Sequence, residues 1–383
     1  MNNRVGIIGI GCTGFKPVTP DLSYRELIFE AAQRAYNEAG LHPKEIDSFI
    51  SATEDFIEGY SIADEYVPDQ LGAVMKPVHT VTADFLQALG VGYMMIKTGQ
   101  FKTVAIEAHS KVSNIENLDE VKAFGLDPIY IRPLKENADF IAGLEMRRFL
   151  ERTGNTEEQC AAVVVKNRRN AIDNPYAAYG SIFTKEDVLS SEPLSLPLKS
   201  LDKAQTADGA VVCVIADEAT AKSLSKNPIW IDGIMWYSEN ANVWSRCMSE
   251  AVYIKLAAKK AYEMAGIKNP LKETQFAEVC DEYSFKELQH IEALGLARKG
   301  EAGYLTESGF TSLEGDYPVN PSGGSLGVGH TLEASGGMKV FEAVTQLRHN
   351  AGKRQVKNAR KGIVQIYRGV PTSTGAVAIL SNE

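Results

Sequence analysis

The feature that most constrains the fold is an eleven-residue repeat, with one copy in each half of the chain. The segments AAQRAYNEAGL, which begins at Ala31, and AAKKAYEMAGI, which begins at Ala257, share six identical positions and lie 226 residues apart. Both have helical periodicity and both end at a glycine, as a helix with a C-terminal glycine cap does. The repeat therefore predicts two similar units within one chain.

The segments that follow the repeat are also similar in the two halves. Each copy is followed by a strand-like run, IDSFISA or FAEVCDEY, and later by a helix pattern and a β-rich run. The apolar run DGAVVCVIA then returns the chain to the sheet of the first half. The sequence thus predicts an α/β fold with three parts: a first half at 1–111 and 208–227, an inserted region at 112–207, and a second half at 228–383.

Charge and cysteine content limit the class of partner and compartment. The chain has 40 Lys and Arg against 49 Asp and Glu, a net charge of −9 without a basic block, which disfavours nucleic acid and anionic membranes as partners. No apolar run approaches the roughly 20 residues that span a bilayer, and the N-terminus lacks a signal-peptide pattern. Five scattered cysteines indicate a reducing compartment and no zinc site in this chain. We expect a cytoplasmic protein.

Two segments carry residues suited to acid–base chemistry. NPSGGSLGVGHTLEASGG places His330 in a glycine-rich loop before a helix, where an imidazole and backbone N–H groups could stabilise an enolate, although a loop histidine can also simply cap or pack. AEVCDEYSFKEL places Cys280, Asp281, Glu282 and Tyr283 after a strand, where an acid and a phenol can serve as base and donor. Asp281 could equally cap the next helix.

These segments, in this order around a duplicated α/β core, resemble the thiolase superfamily, in particular its sterol-carrier-type and archaeal acetyl-CoA acetyltransferase-like branch. The landmarks are EAHSKVSN, SLDKAQTADGAVVCVIA and NPSGGSLGVGH. The resemblance implies a thiolase fold, with two βαβαβαββ halves in a five-layered α-β-α-β-α sandwich and an inserted loop domain that binds coenzyme A. It also implies an acyl-CoA substrate, with coenzyme A as substrate or product and no covalently bound cofactor.

The resemblance extends to partners. It implies a homodimeric core. The chain is also similar to the thiolase-like subunits that pair with a small zinc-ribbon/OB-fold subunit, such as benzoylsuccinyl-CoA thiolase and steroid side-chain aldolase. Such a pairing would give a heterotetramer, and zinc is expected only in that partner.

Matching the family motifs residue by residue reveals departures from them. The position of the nucleophilic cysteine is occupied by Thr82, and Glu282 stands where this branch has its acid/base cysteine. The histidine of the family's Gly-His-Pro motif is retained as His330. The resemblance implies that His330 is the oxyanion donor, Glu282 the acid/base, Tyr283 and Cys280 secondary groups, and that Thr82 and Gly369 line the pocket through their backbone N–H groups.

Basic residues of the insertion could contact the phosphates of coenzyme A, although most are expected to lie on solvated helix faces. The candidates for these contacts, with one serine from the second half, are Arg168, Arg169, Lys203 and Ser249, followed by Arg147, Arg148 and Lys199.

The altered site leaves the reaction open. A threonine hydroxyl is a far weaker nucleophile near pH 7 than a thiolate, so ping-pong cleavage through Thr82 is disfavoured. Retro-aldol cleavage of a 3-hydroxyacyl-CoA needs only a base and an enolate pocket. Thiolase-type cleavage of a bulky 3-oxoacyl-CoA, such as an acylsuccinyl-CoA, would need Cys280 or free coenzyme A as nucleophile. The sequence predicts an enzyme acting on the C–C bond β to a CoA thioester carbonyl; the alternative is a catalytically silent thiolase-like subunit.

Overall fold

A computed structural model describes residues 4–54, 63–240, 242–369 and 373–383. Its main sheet has the strand order β3-β2-β4-β7-β1-β8-β11-β10-β9, and a separate hairpin pairs β5 with β6. The strands are β1 (Val5–Cys12), β2 (Ser48–Ala52), β3 (Val78–Val81), β4 (Thr103–Ser110), β5 (Pro193–Ser195), β6 (Leu198–Lys199), β7 (Gly209–Asp217), β8 (Ile229–Ser238), β9 (Phe276–Glu278), β10 (Lys361–Arg368) and β11 (Thr374–Ser381).

Helices precede or follow most of these strands, and the insertion is mainly helical. The α-helices are α1 (Tyr24–Ala39), α2 (Ala63–Tyr66), α3 (Pro68–Leu71), α4 (Phe85–Lys97), α5 (Leu118–Ala123), α6 (Ala138–Thr153), α7 (Glu157–Asn170), α8 (Lys185–Leu189), α9 (Glu218–Leu224), α10 (Val252–Ala265), α11 (Pro270–Glu273), α12 (Ser284–Ala293), α13 (Ala302–Glu307), α14 (Gly324–Val328) and α15 (Ser335–Leu347). None of the helices in the described ranges is long and apolar enough to cross a membrane.

The repeat is explained by the way its helices pack. The helices α1 and α10 end at Gly40 and Gly266, whose φ angles of 66° and 70° confirm the predicted glycine caps. A Cβ on Gly9 of β1 would lie 2.2 Å from the carbonyl oxygen of Ala35, and a Cβ on Gly233 of β8 would lie 2.2 Å from that of Ala261. Because Ala35 and Ala261 occupy the same repeat position, both halves use the same close helix–strand contact.

The two halves meet along β1 and β8 and share two helices. The strands pair through Gly6 with Trp230 and Ile7 with Ile229. The helix α1 packs on strands of the first half and α10 on strands of the second, whereas α4 and α15 contact strands of both halves and each other. The predicted return of the chain is also confirmed, because β7 pairs with β1 and β4. The predicted α/β class is confirmed.

Candidate active site

A short backbone segment, 204–207, holds the two principal candidate residues together. The N–H of Ala204 donates to the carbonyl of Glu282 at 2.8 Å, and the N–H of His330 donates to the carbonyl of Gln205 at 2.7 Å. The N–H of Ala207 then donates to the carbonyl of His330 at 3.0 Å. In this arrangement Nε2 of His330 lies 3.7 Å from Oε1 of Glu282. The structure thus brings together the predicted oxyanion donor and the predicted acid/base.

His330 has the electrostatic environment of a neutral hydrogen-bond donor. Burial lowers the pKa of His330 below that of a free imidazole, although Glu282 opposes this effect. Its Nδ1 atom is buried and has no hydrogen-bond partner among the described residues. Near neutral pH the ring is therefore uncharged, and one ring nitrogen carries a proton that it can donate.

Glu282 has the environment of an ionised base. Burial alone would raise the pKa of Glu282, but His330 and three lysines together hold it below the ordinary value. Among these groups His330 has the largest lowering effect, and the lysines follow it. They are Lys122, Lys203 and Lys286. The carboxylate accepts no hydrogen bond from the described residues, so it is available to a ligand.

Asp281 is the residue that fixes the glycine-rich loop. Its carboxylate accepts hydrogen bonds from the N–H groups of Ser325 at 2.6 Å and Leu326 at 3.1 Å, at the start of α14. A Cβ on Gly324 would lie 2.1 Å from the Asp281 carboxylate, so this close approach needs glycine. Asp281 is therefore a helix cap, of the later helix α14 rather than of α12, which follows it directly.

The hydroxyl of Tyr283 points to the insertion. It donates to Oδ1 of Asp139 at 3.0 Å, and the same carboxylate forms an ion pair with Lys203 at 2.7 Å. Burial raises the pKa of Tyr283 well above the usual value, so the phenol stays protonated. A secondary role for Tyr283 is thus limited to what a hydroxyl already bonded to Asp139 can do.

Cys280 has an environment unsuited to a nucleophile. Its side chain is buried, and its thiol donates to the carbonyl of Tyr367 across 3.7 Å. Burial raises the pKa of the Cys280 thiol to about 12. Because the thiolate is the reactive form, this placement argues against the predicted catalytic role.

Thr82 and Gly369 were predicted to line the pocket, and each directly follows a strand. Thr82 is exposed in the turn between β3 and α4, and Gly369 directly follows β10. Asp84 fixes this turn, because its carboxylate accepts the N–H of Leu86 at 2.8 Å and that of Gly336, in α15, at 2.9 Å. The turn at Thr82 and the helix that follows His330 are thus joined by one side chain.

Sequence reasoning did not assign a role to two groups near Gly369. The hydroxyl of Tyr367 is buried without a partner among the described residues, 2.9 Å from the position a Cβ on Gly369 would take. Arg368 forms ion pairs with Glu333, across 2.8 Å, and with Glu54. Each of these ion pairs joins residues at least 35 positions apart, so no local sequence pattern indicates them. The sequence shows only that Tyr367 is close to Gly369.

A basic groove lies beside α6 and contains three of the predicted residues, Arg147, Arg148 and Ser249. The groove has a volume of about 670 Å³. Five cationic side chains and one acidic side chain, Glu151, line it. Trp244, at one side, is exposed. The cationic side chains lining the groove are Arg147, Arg148, Arg152, Arg246 and Lys299. Such a groove suits a polyphosphate with an aromatic base.

The other predicted phosphate contacts lie elsewhere. Arg168 is buried, donates to the carbonyl of Tyr179 at 3.1 Å and stacks on the rings of Tyr179 and Phe183, which corrects its assignment as a phosphate contact. Arg169 is exposed but does not line the groove. Lys203 is paired with Asp139, and Lys199 with Glu157.

Comparisons with known proteins agree with this fold. Residues 240–382 match the family described as thiolase C-terminal domain-like. An acetyl-CoA acetyltransferase of Methanothermobacter thermautotrophicus is 30% identical over 385 residues, covering 98% of this chain and 99% of that protein. Benzoylsuccinyl-CoA thiolase subunit BbsB of Thauera aromatica is 32% identical over 215 residues, covering 56% of this chain and 55% of that protein.

A solved Ltp2-ChsH2(DUF35) aldolase has the same fold. It superposes with a TM-score of 0.84 at 24% identity and covers 99% of this chain and 98% of that one. The chain belongs to the thiolase superfamily, in the sterol-carrier-type and archaeal acetyl-CoA acetyltransferase-like branch that its motifs predicted. It is thus an acetyltransferase-like member of that superfamily, and the match of Thr82 to the nucleophile position stays a prediction.

Proposed function

We propose that this chain cleaves, or in reverse forms, the C–C bond β to the carbonyl of a coenzyme A thioester without an acyl-enzyme. The observation that carries the proposal is the pairing of an ionised Glu282 with a neutral His330, 3.7 Å apart, where neither Thr82 nor the buried Cys280 offers a thiolate. Retro-aldol cleavage of a 3-hydroxyacyl-CoA fits these groups best.

Each group has a defined part in that reaction. Glu282 takes the proton of the β-hydroxyl group, the Cα–Cβ bond breaks, and its electron pair moves into the thioester as an enolate. His330 donates a hydrogen bond to the enolate oxygen. The products are a ketone or aldehyde and, after a proton is added to the α-carbon, a shorter acyl-CoA. No covalent bond to the protein is needed.

Thiolase-type cleavage is the second candidate, and the names of the relatives favour it. A 3-oxoacyl-CoA such as an acylsuccinyl-CoA would then be attacked at its β-carbonyl by the thiolate of free coenzyme A, since neither Thr82 nor the buried Cys280 offers a thiolate. His330 would stabilise the enolate in this case as well. The two candidates differ in their requirement for free coenzyme A.

The basic groove supports binding of coenzyme A. Its five cations match the phosphate groups, and the exposed ring of Trp244 can stack on adenine. Ser249 lies in the same lining. In this assignment the arginines of α6, rather than Arg168 or Lys203, contact the phosphates.

The edge strand β3 supports pairing of two copies. It lies at one end of the main sheet, hydrogen-bonded to β2 alone within the described ranges, and its side chains are half-buried or exposed. An open edge of this kind is available to a strand of a second chain. We also keep a small zinc-ribbon/OB-fold subunit as a proposed partner, because the fold matches that of a two-component aldolase.

A product assay tests the proposal. The protein, with any subunit that co-purifies, receives matched 3-hydroxyacyl-CoA and 3-oxoacyl-CoA thioesters with and without coenzyme A, and the products are identified by mass. Cleavage of the hydroxy thioester without added coenzyme A supports the aldolase. Cleavage of the oxo thioester only with added coenzyme A supports the thiolase. No turnover of either, in a protein that binds coenzyme A, would favour the catalytically silent subunit.

A further inference from the structure

The insertion brings one more charged group to the candidate base. Nζ of Lys122, on α5, lies 3.6 Å from Oε1 of Glu282, the same oxygen that lies 3.7 Å from Nε2 of His330. The side chains of Lys122 and Glu282 are 18% and 7% exposed, so water screens this pair only weakly. Lys122 therefore meets the base directly at the predicted reaction centre.

Lys122 differs from the other two lysines near Glu282. Lys203 already forms an ion pair with Asp139 at 2.7 Å, and Lys286 with Glu145 at 2.8 Å. Within the described part of the chain, the only ion pair of Lys122 is with Glu282, although its charge also acts on the carboxyl group of Glu54. Removal of Lys122 would leave the carboxylate beside two cations that have acidic partners of their own.

We propose that Lys122 is a positioning residue that acts through Glu282, extending to lower pH the range in which its carboxylate is ionised. The proposal rests on the role given to Glu282 above. It assigns to the insertion a part in acid–base chemistry, because α5 supplies the charge on which the base depends.

The surroundings of Glu282 decide how its titration responds to Lys122. The other groups that interact with Glu282 are of two kinds: lysines that already have acidic partners, and side chains that are uncharged near neutral pH. The second kind are uncharged because burial lowers the pKa of the histidine and raises the pKa of the cysteine and the two tyrosines. The groups of both kinds are His330, Lys203, Lys286, Cys280, Tyr283 and Tyr367. An opposite charge within about 4–6 Å lowers a carboxyl pKa by one or more units.

The test is a direct titration of Glu282. Protein labelled with ¹³C at the glutamate carboxyl carbons is titrated by NMR, with the Glu282→Gln variant identifying the resonance. Lys122→Met should raise the Glu282 pKa by about one pH unit. The acidic limb of the kcat/KM profile should move upward by the same amount, while activity well above that limb is largely kept. Lys122→Arg should restore both values, and Lys135→Met, which removes an exposed lysine of the same insertion, should change neither.

The possible results separate this proposal from the proposed function. An unchanged Glu282 titration in folded Lys122→Met protein overturns the proposal, and so does an equal loss of activity at every pH. If the titration moves but the wild-type protein cleaves neither class of thioester, the proposed function fails while the link between Lys122 and Glu282 stands. If Lys122→Met protein does not fold, Lys122→Gln provides a second variant for the same test.

Discussion

Nε2 of His330 lies 3.7 Å from Oε1 of Glu282, and backbone hydrogen bonds to one segment hold these two residues side by side. Ala204 binds the carbonyl of Glu282, and Gln205 and Ala207 bind the backbone of His330. The placement of the two backbone segments therefore does not depend on the side chains of Glu282 and His330. Substitution of either side chain should change the chemistry while leaving the loops in place.

Glu282→Gln should lower kcat by about 10²–10⁴-fold, the usual contribution of a general base. The amide keeps the shape of the carboxylate but cannot accept the hydroxyl proton. Steady-state kinetics with a cleavable thioester measure the loss, and Glu120→Gln, an exposed change on α5, is the matched control. Full activity of folded Glu282→Gln protein would exclude Glu282 as the base.

Substitution of the α6 arginines should weaken coenzyme A binding without affecting chemistry. We expect the double variant Arg147→Ser/Arg148→Ser to raise the Kd for coenzyme A by about thirtyfold, since two lost charge-assisted contacts at roughly 1 kcal/mol each cost about 2 kcal/mol. Calorimetric titration at two salt concentrations measures this effect and its screening. Arg169→Ser is the control, because Arg169 is exposed outside the groove. A larger effect of Arg169→Ser would favour the original sequence-based assignment.

Arg368→Met should destabilise the fold by about 3–5 kcal/mol, the cost of leaving a buried ion-pair partner uncompensated. Glu333, the partner at 2.8 Å, is fully buried and lies three residues after His330. Urea denaturation measures the change in the free energy of unfolding. Arg360→Met removes an exposed pair with Glu383 and should cost at most about 1 kcal/mol. Equal effects of the two variants would contradict this account of Arg368.

Stability should fall in acid because of His290. Burial lowers the pKa of His290 from 6.5 to about 3, and the positive charges of Lys286 and Lys339 add to this effect. The unfolded chain therefore binds a proton below about pH 6.5 that the folded chain excludes. This stabilisation is full above pH 6.5 and decreases by up to about 1.4 kcal/mol per pH unit as the pH falls towards 3.

Urea denaturation between pH 4 and 7 would measure this dependence as a difference between variants. His290→Gln should unfold with a shallower pH dependence than the wild type, by roughly one proton. His79→Gln removes an exposed imidazole on β3 and should keep the wild-type slope. Identical slopes for the wild type and His290→Gln would show that His290 does not control the acid response.

The parts of the structure that depend on repeated local patterns could be predicted from the sequence. The alanines and terminal glycines of the repeat define α1 and α10. The resemblance to the thiolase superfamily, and not a local pattern, implied that the segments around Glu282 and His330 share one site. The ion pairs of Arg368 and Lys122 could not be predicted, because they join residues far apart in sequence and depend on how the insertion folds over the core. For the same reason Arg168 was assigned to a ligand, although it stacks inside the protein on Tyr179.

The central claim is cleavage of a C–C bond without an acyl-enzyme. The most direct measurement is to mix the protein with a 3-hydroxyacyl-CoA in the absence of free coenzyme A, stop the reaction at short times, and determine the masses of both protein and products. The account predicts equal amounts of a shorter acyl-CoA and a ketone or aldehyde, with the protein mass unchanged. A protein mass increased by an acyl group would contradict it.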